Sequence, residues 1–348
     1  MSKKHDYIFI CSSLIDISEI LYQIEKLKTK NYFIVVTTSR YSYDFLCKII
    51  DKHNIVFLNS TLNSKPKNIF LWIKELLVMV YLKFLFRNSN IKKVFFYTPV
   101  YDLIAFYMVV NVFKNSEIIL SNSAYNEGMN VYKKVPKKSI LHSLYSKLYR
   151  IPIHSYSNYR LKIFGGGYIA GLPNDLINKF TLEKENSIKE IQDLIKSKYL
   201  IQYDNSKIDD KSILLDQGKS DFNGILDFDD VFKKVLNIFD IKTVTVKGYY
   251  DNRTSPFKNY GLDRLDLDWP IEYYNLNGCK NIFCVFTSAI GRIPKGKYRK
   301  ISLLNLFKFE NEDEKENWKL FMDKIGDDIL YPNSFDELES IINNQDEI

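Results

Sequence analysis

Through the first 120 residues, short apolar runs alternate with longer stretches in which apolar residues recur every three or four positions. Residues 7–11, 32–36, 55–58, 93–97 and 117–120 are compact apolar runs rich in Ile, Val, Phe and Tyr, bounded by polar residues. That composition and length predict buried strands. Between them the spacing predicts helices near 15–29, 41–52, 66–87 and 100–113. A β-α-β-α order of this kind predicts a parallel sheet with helices on both faces. Ligands of such sheets bind in the loops that follow the strand carboxyl ends.

The pattern breaks over 121–160, which is polar, Tyr-rich and basic. Gly165-Gly166-Gly167 and Gly171-Leu172-Pro173 follow, then a charged stretch from about 175 to 198 that reads as helical. The alternation then resumes, with strands expected at 212–216, 242–247 and 281–286, a helix over 224–239 and a short helix over 269–276. The end of the chain reads as two helices, 312–325 and 334–343, broken at Tyr331-Pro332-Asn333. The expected organisation is therefore 1–160, a crossover region 161–208, a second body 209–310 and acidic helices 311–348. Two Rossmann-like halves with parallel sheets facing a central cleft suit an enzyme that joins a nucleotide-bound group to an acceptor. Other enzyme classes share that plan, so fold alone does not assign function.

Composition narrows the class. Hydrophobic content of 46% in 348 residues, with 9 Pro and 13 Gly, excludes a disordered or collagen-like chain. Four cysteines make no disulfide framework and no C-x-x-C pair, so a reduced, cytoplasmic location is the default expectation. The N-terminal apolar run is too short for a signal sequence. Charges at Lys74, Glu75 and Lys83 interrupt the most apolar stretch, 69–86, which reads as a core-facing amphipathic helix rather than a membrane span. The net charge of +7 conceals a division: residues 311–348 carry 12 acids against three Lys, −9, which leaves +16 on residues 1–310. A basic body suggests an anionic partner, and a Lys-rich surface that only solvates the fold remains the alternative.

The chain lacks G-x-G-x-x-G after the first strand, G-x-x-x-x-G-K-[ST] and H-E-x-x-H, so the usual dinucleotide, P-loop and zinc-protease cradles are missing. Asp266-Leu267-Asp268 beside Arg264 reads as a solvated surface. Four other places stand where strands end: Cys11-Ser12-Ser13-Leu14-Ile15-Asp16, Asn126-Glu127-Gly128, Lys247-Gly248-Tyr249-Tyr250-Asp251-Asn252-Arg253, and Phe286-Thr287-Ser288-Ala289. Trp269-Pro270-Ile271-Glu272 lies between the last two.

In this order and near these spacings, the set resembles the bacterial GT-B sialyltransferases, in particular lipooligosaccharide sialyltransferases and capsular polysialyltransferases. The resemblance runs over about residues 6–295. It implies an acceptor-binding first half, a nucleotide-sugar-binding second half, and inverting transfer of sialic acid from CMP-sialic acid to a hydroxyl, galactose-type, of a bacterial surface glycan. It implies no metal, because protein donors stabilise the charge, and no cofactor beyond the donor substrate.

The resemblance also implies roles. Glu127 would be the general base that takes the acceptor proton, although Asn-Glu-Gly reads equally as a plain turn. Thr287 and Ser288 would hold the donor phosphate, or simply cap a helix. Glu272 would accept from ribose hydroxyls, or serve as a first-turn acid. Gln217 and Gly218 are expected donor contacts. Ser13, Asp16 and Asn126 are expected acceptor contacts, with Asp16 equally readable as a helix cap.

The sequence departs from the family in two places. Tyr249 stands where the family has a phosphate-stabilising His, and none of the four histidines lies beyond residue 154. Leaving-group stabilisation would pass to Tyr249, Lys247 or Arg253. Asn126 replaces the first of two acids. These departures leave open a GT-B enzyme using another activated sugar, a different CMP-nonulosonate or a UDP-hexose, and a non-catalytic glycan- or membrane-binding relative. The basic, Tyr-bearing stretch 133–150 suits a peripheral contact with an anionic inner membrane face carrying a lipid-linked acceptor. No recognisable nucleic-acid module accompanies it, so nucleic acid is not expected as a partner.

Overall fold

The computed structural model of the chain describes residues 5–11, 14–37, 39–58, 69–87, 90–96, 108–121, 180–183, 187–202, 208–217, 222–248, 255–265, 269–326 and 328–343. It divides into two units, Met1–Asn186 and Ser187–Ile348. Each unit is a Rossmann-like α/β body built on one six-stranded parallel sheet.

In the first unit, strands β1 (Tyr7–Cys11), β2 (Tyr32–Val36), β3 (Ile55–Phe57), β4 (Lys93–Phe96), β5 (Glu117–Ser121) and β6 (Phe180–Glu183) stand in the order β3-β2-β1-β4-β5-β6. β1 is central, with Phe9 opposite Ile34 on one side and Phe95 on the other. Ile8, Phe9, Ile10, Val35, Val36, Val94 and Phe96 are buried. A parallel sheet covered on both faces needs unbroken apolar runs of this kind, which is why these strands were legible. Phe9 stacks on Phe95 with ring centroids 4.8 Å apart.

The second unit holds β7 (Ser212–Leu215), β8 (Val244–Lys247), β9 (Asp263–Leu265), β10 (Asn281–Cys284), β11 (Arg299–Ser302) and β12 (Ile329–Leu330), ordered β12-β11-β10-β7-β8-β9. Numbered within the unit, this is the same order as in the first, read from the other edge. Its main helix, Phe228–Phe239, turns Val231, Phe232, Val235, Leu236 and Phe239 inward. Phe239 stacks on Phe283 at 4.1 Å. The acidic end of the chain belongs to this unit. The helix Glu312–Ile325 lays Trp318 on Phe286 at 4.3 Å, β12 extends the sheet, and the helix Phe335–Asn343 packs against Phe228–Phe239.

Three expectations are corrected. The stretch read as helical over 175–198 contains β6, and its helix begins only at Ile188. Among the described residues Phe180–Glu183 pairs on one side only, with β5, so an edge strand forms without the apolar run of a central one. The short helix expected at 269–276 is a 3-10 turn, Ile271–Tyr273, started by Pro270 with φ −57°. The helix Ile69–Leu85 is core-facing on one side only: Met79, Leu82 and Phe86 are buried, but Ile73, Leu77, Val80, Tyr81 and Phe84 are exposed.

Candidate functional site

In a sheet of this order the crevice for a ligand opens where neighbouring strands diverge to opposite sides, at the strand carboxyl ends. In the second unit that point lies between β7 and β10, which pair through Ser212 with Asn281 and Leu214 with Phe283. Parallel strands put the residues after β7, β8 and β10 at the same edge. Those residues are Asp216-Gln217, Lys247-Gly248 and Val285 to Ser288.

Asp216 leaves β7 with its backbone N–H bonded to the Lys247 carbonyl at 3.0 Å. Its side chain is buried, and Arg264 Nη2 approaches Oδ2 at 3.6 Å. Oδ1 has no hydrogen-bond partner among the described residues. Burial pushes the carboxyl pKa up, while Ser255, Arg264, the Gln217 backbone and Lys247 pull it back. Gln217 is equally buried, at 6% exposure, and its Oε1 also lacks a partner. Two buried acceptors in consecutive residues after β7 are therefore unsatisfied among the described residues. Native proteins leave few such atoms, because each costs about 1–3 kcal/mol.

Glu272 is the second buried carboxyl. It sits in the 3-10 turn at 5% exposure, where burial drives its pKa up. Arg292, the Glu272 backbone N–H and Lys247 oppose that rise. Lys247 contributes to both carboxyls, as the smallest of the opposing influences on each. Its Nζ also donates to the Gly248 carbonyl at 3.1 Å.

Thr287 is the N-cap of the helix Ser288–Arg292 and accepts from the Ala289 N–H at 3.4 Å. Ser288 is the first helical residue, half-buried beside it. Gln192, from the helix Ile188–Leu194, donates to the Gly291 carbonyl. The helix packs against the 3-10 turn that carries Glu272. Gln217, Lys247, Glu272, Thr287 and Ser288 are therefore carried by neighbouring elements of one unit.

Asp216, Arg264 and Arg292 complete the group and were not singled out from sequence. Asp216 ends the strand expected over 212–216, and only its burial without a partner distinguishes it from a turn residue. Arg264 reads as a surface charge until β9 sets it beside Asp216.

In the first unit, Asp16 is fully buried in the first turn of the helix Ile15–Leu27. The N-cap is Leu14, so Asp16 is not the capping residue. Ser13, Asn126, Glu127, Gly218, Tyr249 and Arg253, like the stretch 133–150, lie outside the described residues. Among the described residues no group of three His, Cys, Asp or Glu is arranged to hold a metal ion. All four cysteines are free, and no described helix is long and apolar enough to cross a membrane.

No protein-family model and no curated protein sequence matches the chain. Solved structures do resemble it in fold. A Listeria monocytogenes protein assigned as a UDP-N-acetylglucosamine 2-epimerase is 13% identical over 99% of this chain and 98% of its own, with a TM-score of 0.49. A calicheamicin glycosyltransferase is 11% identical over 97% and 89%, with a TM-score of 0.41. An Escherichia coli ADP-heptose lipopolysaccharide heptosyltransferase II is 10% identical over 97% and 98%, with a TM-score of 0.42. None of these three is a sialyltransferase.

Proposed function

We propose that the protein is a glycosyltransferase whose second unit binds a nucleotide-activated sugar at the carboxyl ends of β7, β8 and β10. The observation that supports this reading is the pair of buried acceptors beside the switch point, Asp216 Oδ1 and Gln217 Oε1, which lack partners among the described residues. Neither oxygen is exposed, so a ligand rich in hydroxyl or amino donors would satisfy them once the groups that cover them shift. The cation Lys247 beside them, with Arg292 and Arg264, suits a phosphate. Glu272 is a buried carboxyl that would take the vicinal hydroxyls of a ribose, as the resemblance implies.

In the reaction, an acceptor hydroxyl attacks the anomeric carbon. Its oxygen–carbon bond forms as the bond from that carbon to the donor phosphate breaks, with inversion. Glu127 takes the hydroxyl proton, and the nucleotide departs with its charge held by Lys247, with Tyr249 and Arg253 as further candidates. Fixed cations suffice here, because the departing phosphate needs electrostatic stabilisation more than a proton. The resemblance makes CMP-sialic acid the first donor to test and a surface-glycan galactose the first acceptor. The missing His at Tyr249 and the Asn at 126 favour a second reading, in which the donor is another CMP-nonulosonate or a UDP-hexose.

Ligand-induced thermal shift with CMP and with UDP, on the parent and on Glu272→Gln, tests the proposal. Stabilisation by CMP, lost in Glu272→Gln, supports the sialyl or nonulosonate donor. Stabilisation by UDP alone removes CMP-sialic acid in favour of the second reading. A parent indifferent to both nucleotides refutes the donor site. A donor screen on a lactose-type acceptor with mass detection then reads turnover, and Glu127→Gln should reduce it by about a hundredfold or more.

A further inference from the structure

Among the described residues the most exposed apolar surface is one face of the helix Ile69–Leu85. At 100° per residue, Ile73, Leu77, Val80 and Phe84 fall within a narrow stripe, and Tyr81 borders it. Phe84 is 76% exposed and Leu77 62%. The opposite face, with Met79 and Leu82 and continuing to Phe86, is buried against the unit. A helix with apolar residues on two opposite faces belongs where both are covered, and here only one is. Scattered exposed Leu residues need no explanation, but a continuous stripe of four large side chains with Tyr81 at its border marks a contact surface.

The margins of the stripe identify its partner. Lys74 lies on one side, and Lys83 and Arg87 lie on the other, so cations flank the apolar band on both edges. Protein–protein interfaces are depleted in Lys. Interfacial membrane helices instead pair an apolar face bearing aromatic residues with Lys and Arg whose stems run along it and whose charges reach the headgroups. The surrounding charge agrees. The first unit, Met1–Asn186, contains 26 Lys and Arg against 13 Asp and Glu, a net +13. A 17-residue helix spans about 25 Å and is held to the unit along one face, so it lies on a surface rather than across a bilayer.

We infer that the outer face of the helix Ile69–Leu85 docks on an anionic lipid surface, with Leu77 and Phe84 entering the headgroup boundary and Lys83 and Arg87 contacting acidic headgroups. This inference stands apart from the donor site, which lies in the other unit.

Vesicle co-sedimentation of the full chain tests it, using phosphatidylcholine alone and phosphatidylcholine with about 30% phosphatidylglycerol at about 0.1 M salt. The anionic vesicles should bind at least tenfold more strongly. Leu77→Ser combined with Phe84→Ser should weaken that binding about tenfold or more. Lys83→Glu combined with Arg87→Glu should do the same, since each cation at an anionic surface is worth about a fivefold change. Both altered pairs are exposed, and a thermal melt of each variant checks that the fold survives the change. If the serine variant does not melt cooperatively, the charge-reversal variant decides. Absence of binding to the anionic vesicles, or variants that bind as the parent does, overturns the inference. A lipid-free dimer that the serine substitutions dissociate also overturns it, by assigning the stripe to a second copy of the chain.

Discussion

Neutralising Asp216 should make the ligand-free protein more stable and the nucleotide-binding protein worse. Oδ1 is a buried acceptor without a partner, a state that costs about 1–3 kcal/mol. The compensation is partial: Ser255 and the Gln217 backbone support the carboxylate, and the Arg264 pair, with Arg264 58% exposed and 3.6 Å away, is worth about 0–1 kcal/mol. Asp216→Asn keeps the shape and removes the buried charge, so it should gain about 1 kcal/mol. In a unit of this size that is a rise of about 2–4 °C in thermal midpoint. The pH dependence follows from the direction of the shift. An acid whose folded-state pKa is raised adds nothing below its unfolded value of about 3.9. Its cost builds as pH climbs towards the folded value and is complete above it. The gain of Asp216→Asn should therefore be present at pH 7 and shrink towards pH 4. Scanning calorimetry across that range, with and without CMP or UDP, reads both quantities. A lower midpoint at pH 7, or an undiminished nucleotide-induced shift in the variant, refutes the view that this carboxylate is kept for a ligand at the expense of stability.

Lys300, 2% exposed in β11, has its Nζ 3.0 Å from Asp328 Oδ2 and also donates to the Ile293 carbonyl. Asp328→Ala should cost about 3–5 kcal/mol by stranding that cation, and Lys300→Met far less. In urea unfolding the double variant should fall near Lys300→Met, and an additive result refutes the pairing. Among the thiols, Cys11, Cys279 and Cys284 are buried, with burial pushing Cys279 up to about 12 and Cys284 higher still, whereas Cys47 is part-exposed. Ellman's reagent at pH 8 should label Cys47 first and the other three only on unfolding, and early labelling of Cys279 or Cys284 contradicts their burial.

What the sequence disclosed and what it hid follow one physical division. Strands buried on both faces must be apolar throughout, so β1, β2, β7 and β10 announce themselves, and the helix Phe228–Phe239 does so by its inward stripe. β6 and β9 form at sheet edges, where pairing on one side supports polar residues such as Thr181 and Asp263. β11 is interior, yet it reads as basic because Arg299 and Lys300 open it. Lys300 is buried only because Asp328, 28 residues later, neutralises it, a partner no local pattern reveals. The site divides in the same way. Lys247, Glu272 and Thr287 were legible as strand-end or turn residues. Asp216, Arg264 and Arg292 matter through burial and mutual approach, which exist only in the folded chain.

The charge of the chain also needs reassigning. The excess positive charge of residues 1–310 suggests an anionic partner, but the second unit, where the donor site is proposed, contains 23 Lys and Arg against 29 Asp and Glu, a net −6. Its overall field does not attract a nucleotide sugar, so affinity there must come from short-range groups: Lys247, Arg292 and the unpaired acceptors of Asp216 and Gln217. Short contacts to a partly buried ligand are screened little by salt, whereas attraction of a +13 unit to a charged surface is screened strongly. Raising salt from about 0.05 to 0.5 M should therefore weaken anionic-vesicle binding about tenfold or more while leaving nucleotide-induced stabilisation within about twofold. Equal losses in the two assays would mean that one diffuse field serves both ligands, and the assignment of local donors to the second unit would fail. Unequal losses would separate the two roles by unit: the first unit's charge for a surface, the second unit's few placed residues for the sugar donor.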